Sequence, residues 1–378
     1  EPTMRTTGRL RLLAVTALMA AACGSSATPV ASHISPPTSP MPTPTATAVV
    51  PQPGLCQAPS NPCLALVTLR GSNSYVVRDL TDINHPKNVS NLGAISGPAF
   101  VSATELSYAN DSGLFRMPLS GSPKTLVVKQ GGGGGWSPDG QAVVYTTTSS
   151  TDPYTGKITV HQFTGGRDQV LGTTPPGGGG DCQAIATCSL PNWLDSRLSF
   201  SPDGTLIAMV MDGFGMSIFR VWTSDGALLT SNDSKGLTMS AWSGQSLYFA
   251  GPSGVESWRD GATSTFLAKA YWVKPSASPA GGQLVYTIRD SHGWGHIRIV
   301  DTATGKVREL KADRTDAVFL TSRFIWYRGE RACTAAEDCG SHPQTHPLSG
   351  KTYIYDLQTG TETESIITSV SDVWPHPA

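Results

Sequence analysis

Short apolar runs separated by turns follow one another from about residue 64 to the end of the chain. The runs at residues 64–70, 297–301 and 353–357 are rich in β-branched and aromatic side chains, a composition typical of strands. Apolar positions spaced as in an amphipathic helix are hard to find, whereas 40 glycines and 28 prolines supply turns. The pattern therefore predicts an all-β domain.

One turn sequence recurs between these runs. WSPDG begins at Trp136 and FSPDG begins at Phe200, and an apolar run follows each of them. Proline fixes φ at the first corner of such a turn, aspartate bonds to nearby backbone, and glycine accepts a positive φ. Weaker copies surround five further anchor residues: Phe100, Trp242, Ala277, Phe319 and Trp374. A base spacing of about forty residues between anchors fits a propeller blade of four strands.

The repeated segments resemble the TolB-like, WD-repeat-like propeller repeat. In that repeat an aromatic residue precedes SPDG, and the next strand ends in an aromatic such as Tyr145. The resemblance extends from residue 64 to the end of the chain and implies a β-propeller. Residues 370–374 form a first strand with no second strand after them, while the first repeat begins directly with a second strand. Combining the two predicts a seven-bladed β-propeller closed by the carboxyl-terminal strand; six blades with an irregular terminus is the alternative.

The first 53 residues differ in composition from the repeats. Three arginines precede a short apolar stretch at residues 12–22, which ends in small residues. This order predicts a secretory signal peptide over residues 1–22, and its apolar stretch is too short to span a bilayer. Cys23 follows directly, as in bacterial lipoprotein signals, so this resemblance implies a lipid anchor on Cys23. Ordinary secretion with a stray thiol is the alternative.

A second amino-terminal segment, residues 24–53, contains no Lys, Arg, Asp or Glu and is mostly Ser, Thr, Ala, Pro and Val. Such a segment cannot bury enough apolar surface to offset its ordering entropy, and its prolines favour extended backbone. We therefore expect a disordered tether over residues 23–53, ahead of a propeller domain at residues 54–378.

The six remaining cysteines form three couples that are close in sequence: Cys56 and Cys63, Cys182 and Cys188, Cys333 and Cys339. An even number of cysteines in an exported chain predicts disulfides, and pairing within each couple is the simplest solution. Each small ring would add roughly 2 kcal/mol through loop entropy and would pin a loop. Zinc is the rival, but the usual two-residue spacing of zinc-binding cysteines is missing.

Composition and motifs argue against several classes of function. The chain has 27 basic and 28 acidic residues, so it lacks the basic excess of a nucleic-acid-binding protein. It contains no G-x-S-x-G nucleophile motif. The glycine runs at residues 131–135 and 177–180 lack the lysine and the helix of a phosphate loop, and Asp139 and Asp203 belong to turns. No catalytic residue, metal or cofactor is therefore predicted.

Two long insertions point to one face of the propeller. In a four-stranded blade, the connection between strands two and three opens on the same face as the connection to the next blade. Residues 171–197 and 329–351 occupy connections of these two kinds. Binding residues concentrate on loops held by a rigid scaffold, so this insertion face is the predicted binding face. Its candidate contact residues are Trp193, His292, Trp294, His296, His342 and His346.

A structural role is the alternative for several of these candidates. His342 and His346 have the spacing of a helical metal site, but Pro343 and Pro347 forbid a regular helix. That leaves exposed loop histidines as the simpler interpretation. Trp193 could equally form the core of its own loop.

These observations predict an exported propeller, lipid-anchored to the bacterial cell membrane on its extracytoplasmic side. We expect a monomer that binds an envelope protein or peptide and performs no catalysis. The TolB resemblance implies protein–protein contact by analogy. The alternative is an extracellular propeller that binds or processes glycans. Glycan processing would need a pair of carboxylates from the innermost strands, and Asp316 and Asp372 are the few acids nearby.

Overall fold

Twenty-eight strands in seven four-stranded antiparallel sheets form the part of the chain that the structure describes. The structure is a computed structural model that describes residues 62–376, apart from residues 73, 84, 94, 111, 130–133, 149–155, 174–197, 214–215, 233–237, 271 and 335–346. None of the described residues forms a helix long and apolar enough to cross a membrane.

Each sheet is one blade, and the blades are numbered along the chain. From inner to outer strand, blade 1 contains β28 (Ile367–Trp374), β1 (Leu64–Leu69), β2 (Tyr75–Asp79) and β3 (Lys87–Gly93), and blade 2 contains β4 (Ser96–Ser102), β5 (Glu105–Asn110), β6 (Gly113–Pro118) and β7 (Thr125–Lys129). Blade 3 contains β8 (Gly135–Trp136), β9 (Ala142–Thr148), β10 (Gly156–Gln162) and β11 (Arg167–Thr173). Blade 4 contains β12 (Leu198–Phe200), β13 (Leu206–Gly213), β14 (Met216–Thr223) and β15 (Leu228–Ser231).

The same order holds in the remaining blades. From inner to outer strand, blade 5 contains β16 (Thr238–Ser243), β17 (Ser246–Gly251), β18 (Gly254–Arg259) and β19 (Ala262–Ala268). Blade 6 contains β20 (Val273–Ala277), β21 (Gln283–Arg289), β22 (Gly295–Asp301) and β23 (Val307–Ala312). Blade 7 contains β24 (Arg314–Phe319), β25 (Phe324–Glu330), β26 (Leu348–Asp356) and β27 (Glu362–Ser365).

Blade 1 is built from both ends of the propeller sequence. Its inner strand β28 pairs antiparallel with β1, so that Trp374 lies opposite Leu64 and Val373 lies opposite Ala65. β28 also contacts β4 of blade 2 and β26 of blade 7. The ring of seven blades, closed by the carboxyl-terminal strand, is therefore confirmed, and the six-bladed alternative is wrong.

The SPDG turns are held by their own side chains. The Ser137 hydroxyl accepts a hydrogen bond from Ala142 N at 2.8 Å and donates one to Asp139 Oδ1 at 2.6 Å. The same carboxylate oxygen accepts a bond from Gln141 N at 3.0 Å. The second SPDG turn repeats this arrangement. Both turn aspartates thus bond within their own turns, as the sequence pattern predicts, and Asp203 Oδ2 also accepts a hydrogen bond from Gln245 Nε2 of the next blade at 2.8 Å.

The core lies between blades. Seven apolar clusters fill the seven inter-blade interfaces, one cluster in each. The anchors that precede the turns are buried, apart from Trp374, which is half-buried. Two tryptophan anchors also bond across an interface: Trp136 Nε1 donates to Ser107 Oγ at 2.7 Å, and Trp242 Nε1 donates to Ser199 Oγ at 3.0 Å. Burial of one large apolar side chain stabilises such an interface by roughly 2–3 kcal/mol.

Candidate binding site at the axial cavity and the insertion face

The seven inner strands enclose a cavity on the propeller axis. Its volume is about 760 Å³, and each blade contributes residues to its lining. Known ligand pockets have volumes of roughly 300–1,000 Å³. The ring therefore provides a space of the size that binds a small ligand or a short segment of another chain.

The residues that line this axial cavity are mostly small or apolar, such as Ala99, Leu198 and Ala277. Hydroxyl groups from several inner strands add polar positions. Among the described residues that line the cavity, Asp372 is the carboxylate and His376 is the histidine. A lining of this kind suits apolar and neutral hydrogen-bonding groups, because few fixed charges face the space.

Asp372 bonds within the ring. Its Oδ2 accepts a hydrogen bond from Phe100 N of blade 2 at 2.7 Å and lies 3.2 Å from His376 Nε2. Burial alone would lower the pKa of His376, but the charge of Asp372 and the bond between them outweigh burial and raise this pKa. The carboxylate therefore joins blade 1 to blade 2 and is paired with a neighbouring histidine.

One end of the cavity is shaped by a recurring β-bulge. In blades 2, 5, 6 and 7 the pairing of the inner and second strands shifts near the beginning of the inner strand, on the side of the inter-blade connections. Residues with positive φ lie at these bulges: Gly97 (52°), Met239 (49°), Lys274 (47°) and Asp316 (59°). Such values are uncommon outside glycine, and bulges re-aim side chains next to functional sites.

Two of the bulge residues form an ion pair across the interface of blades 6 and 7. Lys274 Nζ lies 3.1 Å from Asp316 Oδ1, and Arg328 Nε lies 3.7 Å from Asp316 Oδ2. We call these three residues the mouth triad. Lys274 is 57% exposed, whereas Asp316 is 16% exposed. The triad places Lys274 and Asp316 at the beginning of the inner strands and Arg328 beside them on β25.

Three of the predicted contact residues gather in blade 6 around one acid. Asp290 Oδ1 accepts hydrogen bonds from the backbone N of His292 at 2.8 Å and of Trp294 at 3.0 Å. Its Oδ2 lies 3.3 Å from His296 Nε2. Asp290 was missed from the sequence, although its position just after β21 and its spacing from the following histidine are typical of an Asx turn.

The other predicted contact residues, Trp193, His342 and His346, lie outside the described residues. The segments that contain them fall between β11 and β12 and between β25 and β26, which are the two kinds of connection predicted for the insertion face. Their part in binding stays a prediction.

The cysteine pairings are not tested either. Cys63 is buried at the start of blade 1, and Cys333 follows β25. Cys56, Cys182, Cys188 and Cys339, like the lipidation candidate Cys23, lie outside the described residues.

Glu330 ties the blade 6 loop to blade 7. Its side chain is fully buried; Oε2 accepts a hydrogen bond from Gly295 N at 2.7 Å, and Oε1 lies 3.0 Å from Arg289 Nη1. A Cβ on Gly295 would lie 2.4 Å from the carbonyl oxygen of Arg314, so only glycine fits this close approach. The segment with His292 and Trp294 is thereby held against the next blade.

His296 lies between two carboxylates. Its Nδ1 is 3.1 Å from Glu309 Oε1, on the side opposite Asp290. Burial would lower the pKa of His296, but its hydrogen bonds to Glu309 and Asp290, with their charges, outweigh burial and raise the pKa above 6.5. The bond to His296 lowers the pKa of Glu309. Burial would raise the pKa of Asp290, but its bonds outweigh burial and lower it.

This cluster predicts a pH dependence of folding stability. A raised histidine pKa gives stability that is complete below about pH 6.5 and is lost as the pH rises through the raised value. The lowered pKa values of Asp290 and Glu309 give stability that is present above their ordinary pKa values of 3.8 and 4.5. This stability is lost as the pH falls through the lowered values. The cluster should therefore stabilise the fold most between pH 4.5 and 6.5.

Thermal unfolding of the His296→Gln variant between pH 6 and 8 measures this effect. We expect a modest decline in wild-type melting temperature over that range, since Glu309 is 44% exposed, and a flatter profile in the variant. His85→Gln is the control, because the side chain of His85 is 82% exposed. If the melting temperatures of the wild type and of His296→Gln depended on pH in the same way, His296 would not be the source of the pH dependence.

The fold and the enclosed cavity define the class: the chain is a seven-bladed β-propeller. No family model and no curated protein matches it. Solved structures similar to it include TolB from Acinetobacter baumannii, with 15% identity, a TM-score of 0.44, and coverage of 84% of this chain and 67% of TolB. The propeller predicted from the SPDG repeats is confirmed by the seven four-stranded sheets of the structure itself.

Enzymes also occur among the similar structures. An oligogalacturonate lyase in complex with manganese has 12% identity and a TM-score of 0.50, over 80% of this chain and 84% of the lyase. A prolyl endopeptidase has 13% identity and a TM-score of 0.52, over 80% of this chain and 49% of the peptidase. At these identities the likeness shows the fold alone.

Proposed function

We propose that this protein is an exported, lipid-anchored and non-catalytic propeller that binds a peptide or protein segment of the cell envelope. The binding site is the axial cavity together with the adjoining insertion face. The observation that supports binding is the lining of the cavity: about 760 Å³ of mostly apolar and small side chains drawn from seven blades. The anchor on Cys23 and the tether at residues 23–53 rest on the sequence patterns alone.

Glycan processing is the second candidate, and the cavity lining favours it less. Glycoside hydrolysis uses two carboxyl groups that face each other across the bond to be broken. Among the described lining residues the carboxylate is Asp372, and its Oδ2 bonds to Phe100 N and lies beside His376. Asp316, the other acid suggested by the sequence, is paired with Lys274 and Arg328. A side chain already bonded within the ring is poorly placed to act as an acid or a nucleophile.

Site-specific photocrosslinking in the intact envelope tests this proposal. A photoreactive residue replaces Asn110, which is exposed and lines the cavity. The control replaces Val170, which is 56% exposed on the outer strand of blade 3. We expect a discrete protein adduct from position 110 and none from position 170. The same adducts from both positions, or no adduct combined with retention of envelope oligosaccharides, would refute peptide or protein binding at the cavity.

The same experiment with Cys23→Ala separates anchoring from recognition. Removal of the lipidated residue should release the protein from the membrane, because its acyl chains provide the membrane affinity. We expect the released protein to give the position-110 adduct when it is returned to envelope fractions. A protein that stays membrane-bound after this substitution would contradict the lipid anchor without affecting the binding site.

A further inference from the structure

The mouth triad has a net positive charge beside an otherwise weakly charged cavity. Lys274 and Arg328 share the single carboxylate of Asp316. Within the cavity, Asp372 and His376 pair with each other, and the raised pKa of His376 favours its cationic form, so this pair is close to neutral. Among the described residues that line or adjoin the cavity, the charge is thus uneven around the axis, with its positive side at blades 6 and 7.

The geometry of the triad leaves donors available to a ligand. The ammonium group of lysine has three donors, and the 57% exposed Lys274 directs it at Asp316 at a distance of 3.1 Å. Arg328 faces the same carboxylate with Nε, while its guanidinium lies 5.7 Å from the centre of the Trp326 ring. Asp316 is therefore placed to orient two cations, and one negative charge cannot neutralise both.

The positions of Lys274 and Asp316 are set by the backbone. Lys274 and Asp316 lie at equivalent bulges of β20 and β24, and Pro275, Ser276 and Val318, which follow them, line the cavity. A ligand whose apolar part occupies the cavity would therefore lie beside the triad. Oriented cations at the rim of an apolar pocket give specificity for a negatively charged group.

We infer that the segment bound in the axial cavity presents a carboxylate to Lys274 and Arg328. This inference rests on the proposed function, since it names the chemistry of the segment bound there. The carboxylate comes from an aspartate or glutamate side chain or from a carboxyl terminus. In both cases the recognised unit is an apolar segment with one acidic group, and the contact should weaken as salt concentration rises.

Equilibrium retention of a defined peptide mixture tests this. The probe is an equimolar mixture of N-acetylated apolar hexapeptides in three forms: free acid, amide, and amide with one internal glutamate. The full chain with Cys23→Ala is immobilised, and retained peptides are quantified by mass spectrometry. We expect roughly fivefold enrichment of one or both carboxylate forms over the neutral amide, the upper range for an exposed ion pair. The form that is enriched identifies the source of the carboxylate.

Two variants test whether the triad provides this preference. Lys274→Met keeps most of the aliphatic stem and removes the charge, and it should abolish the enrichment while neutral amides are still retained. Lys351→Met is the matched control, because Lys351 is 58% exposed and pairs with Glu364 on an outer strand. The melting temperature of each variant confirms that it is folded.

The possible failures are distinguishable. Equal retention of all three peptide forms by the wild-type chain, or an unchanged preference in Lys274→Met, overturns the carboxylate inference and leaves the proposed function standing. Retention of no peptide form overturns peptide binding at the cavity and, with it, this inference.

Discussion

Deletion of residues 367–378, which removes β28, should lower the melting temperature by roughly 10 °C or more, or abolish folding. Ile367 and Val373 are buried in the interface of blades 1 and 7, and Trp374 packs in the interface of blades 1 and 2. Without β28, the inner edge of β1 loses its partner. An unpaired apolar strand edge also promotes aggregation.

Calorimetry of the truncated chain measures this loss, and addition of a synthetic peptide of residues 366–378 should restore part of it. The point variant Val373→Ala should cost roughly 1–3 kcal/mol because it leaves a cavity in a packed interface. Ile366→Ala is the matched control: this residue directly precedes β28 and is 55% exposed. A truncated chain that melts at the wild-type temperature would show that β28 does not hold the ring together.

Replacement of Glu330 by alanine should destabilise the fold by roughly 3 kcal/mol. Its side chain is fully buried, and its removal leaves Arg289 and the backbone N of Gly295 without their carboxylate partner. Arg289 is 26% exposed and keeps contact with water, but loss of a buried carboxylate costs more than loss of an exposed one, since the backbone N of Gly295 stays buried without its acceptor. Chemical denaturation measures the change in free energy of unfolding.

Two comparisons make the Glu330 result specific. Glu364→Ala removes an exposed glutamate that pairs with Arg70 and Lys351, and it should change the free energy of unfolding far less than Glu330→Ala, because water screens exposed ion pairs. Hydrogen exchange should show faster exchange at Gly295 in Glu330→Ala than in Glu364→Ala. Equal stability of the two variants would mean that Glu330 does not hold the blade 6 loop.

The repeats made the architecture predictable from the sequence. The two SPDG turns set the hairpin between the inner and second strands, and the anchors before them gave the spacing of the blades. Register alone predicts that the segment ending at Trp374 belongs to the first blade, and the structure pairs Trp374 with Leu64. Such features are predictable because a repeated local pattern has one consistent way to pair.

The site was less predictable, because its contacts join residues that are distant in sequence. Lys274 and Asp316 belong to different blades, and nothing in a lysine or an aspartate signals a bulge with positive φ. A glutamate at a strand end is usually solvent-exposed. The pattern of apolar and polar residues therefore does not predict that Glu330 is buried. The place of His296 in the chain predicts that it lies on the insertion face. Nothing in the sequence indicates that Glu309, on the next strand, is its partner.

The closing strand has a consequence for recognition as well as for stability. β28 and β1 lie at opposite ends of the propeller sequence, yet they are neighbours in one blade. The axial cavity takes its walls from all seven inner strands, β28 among them. A space bounded in this way exists only once the circle is complete, so neither a single blade nor an open arc of six contains a pocket. Ligand binding at the axis therefore depends on the closed ring. It should be detected only in molecules in which β28 is paired in blade 1.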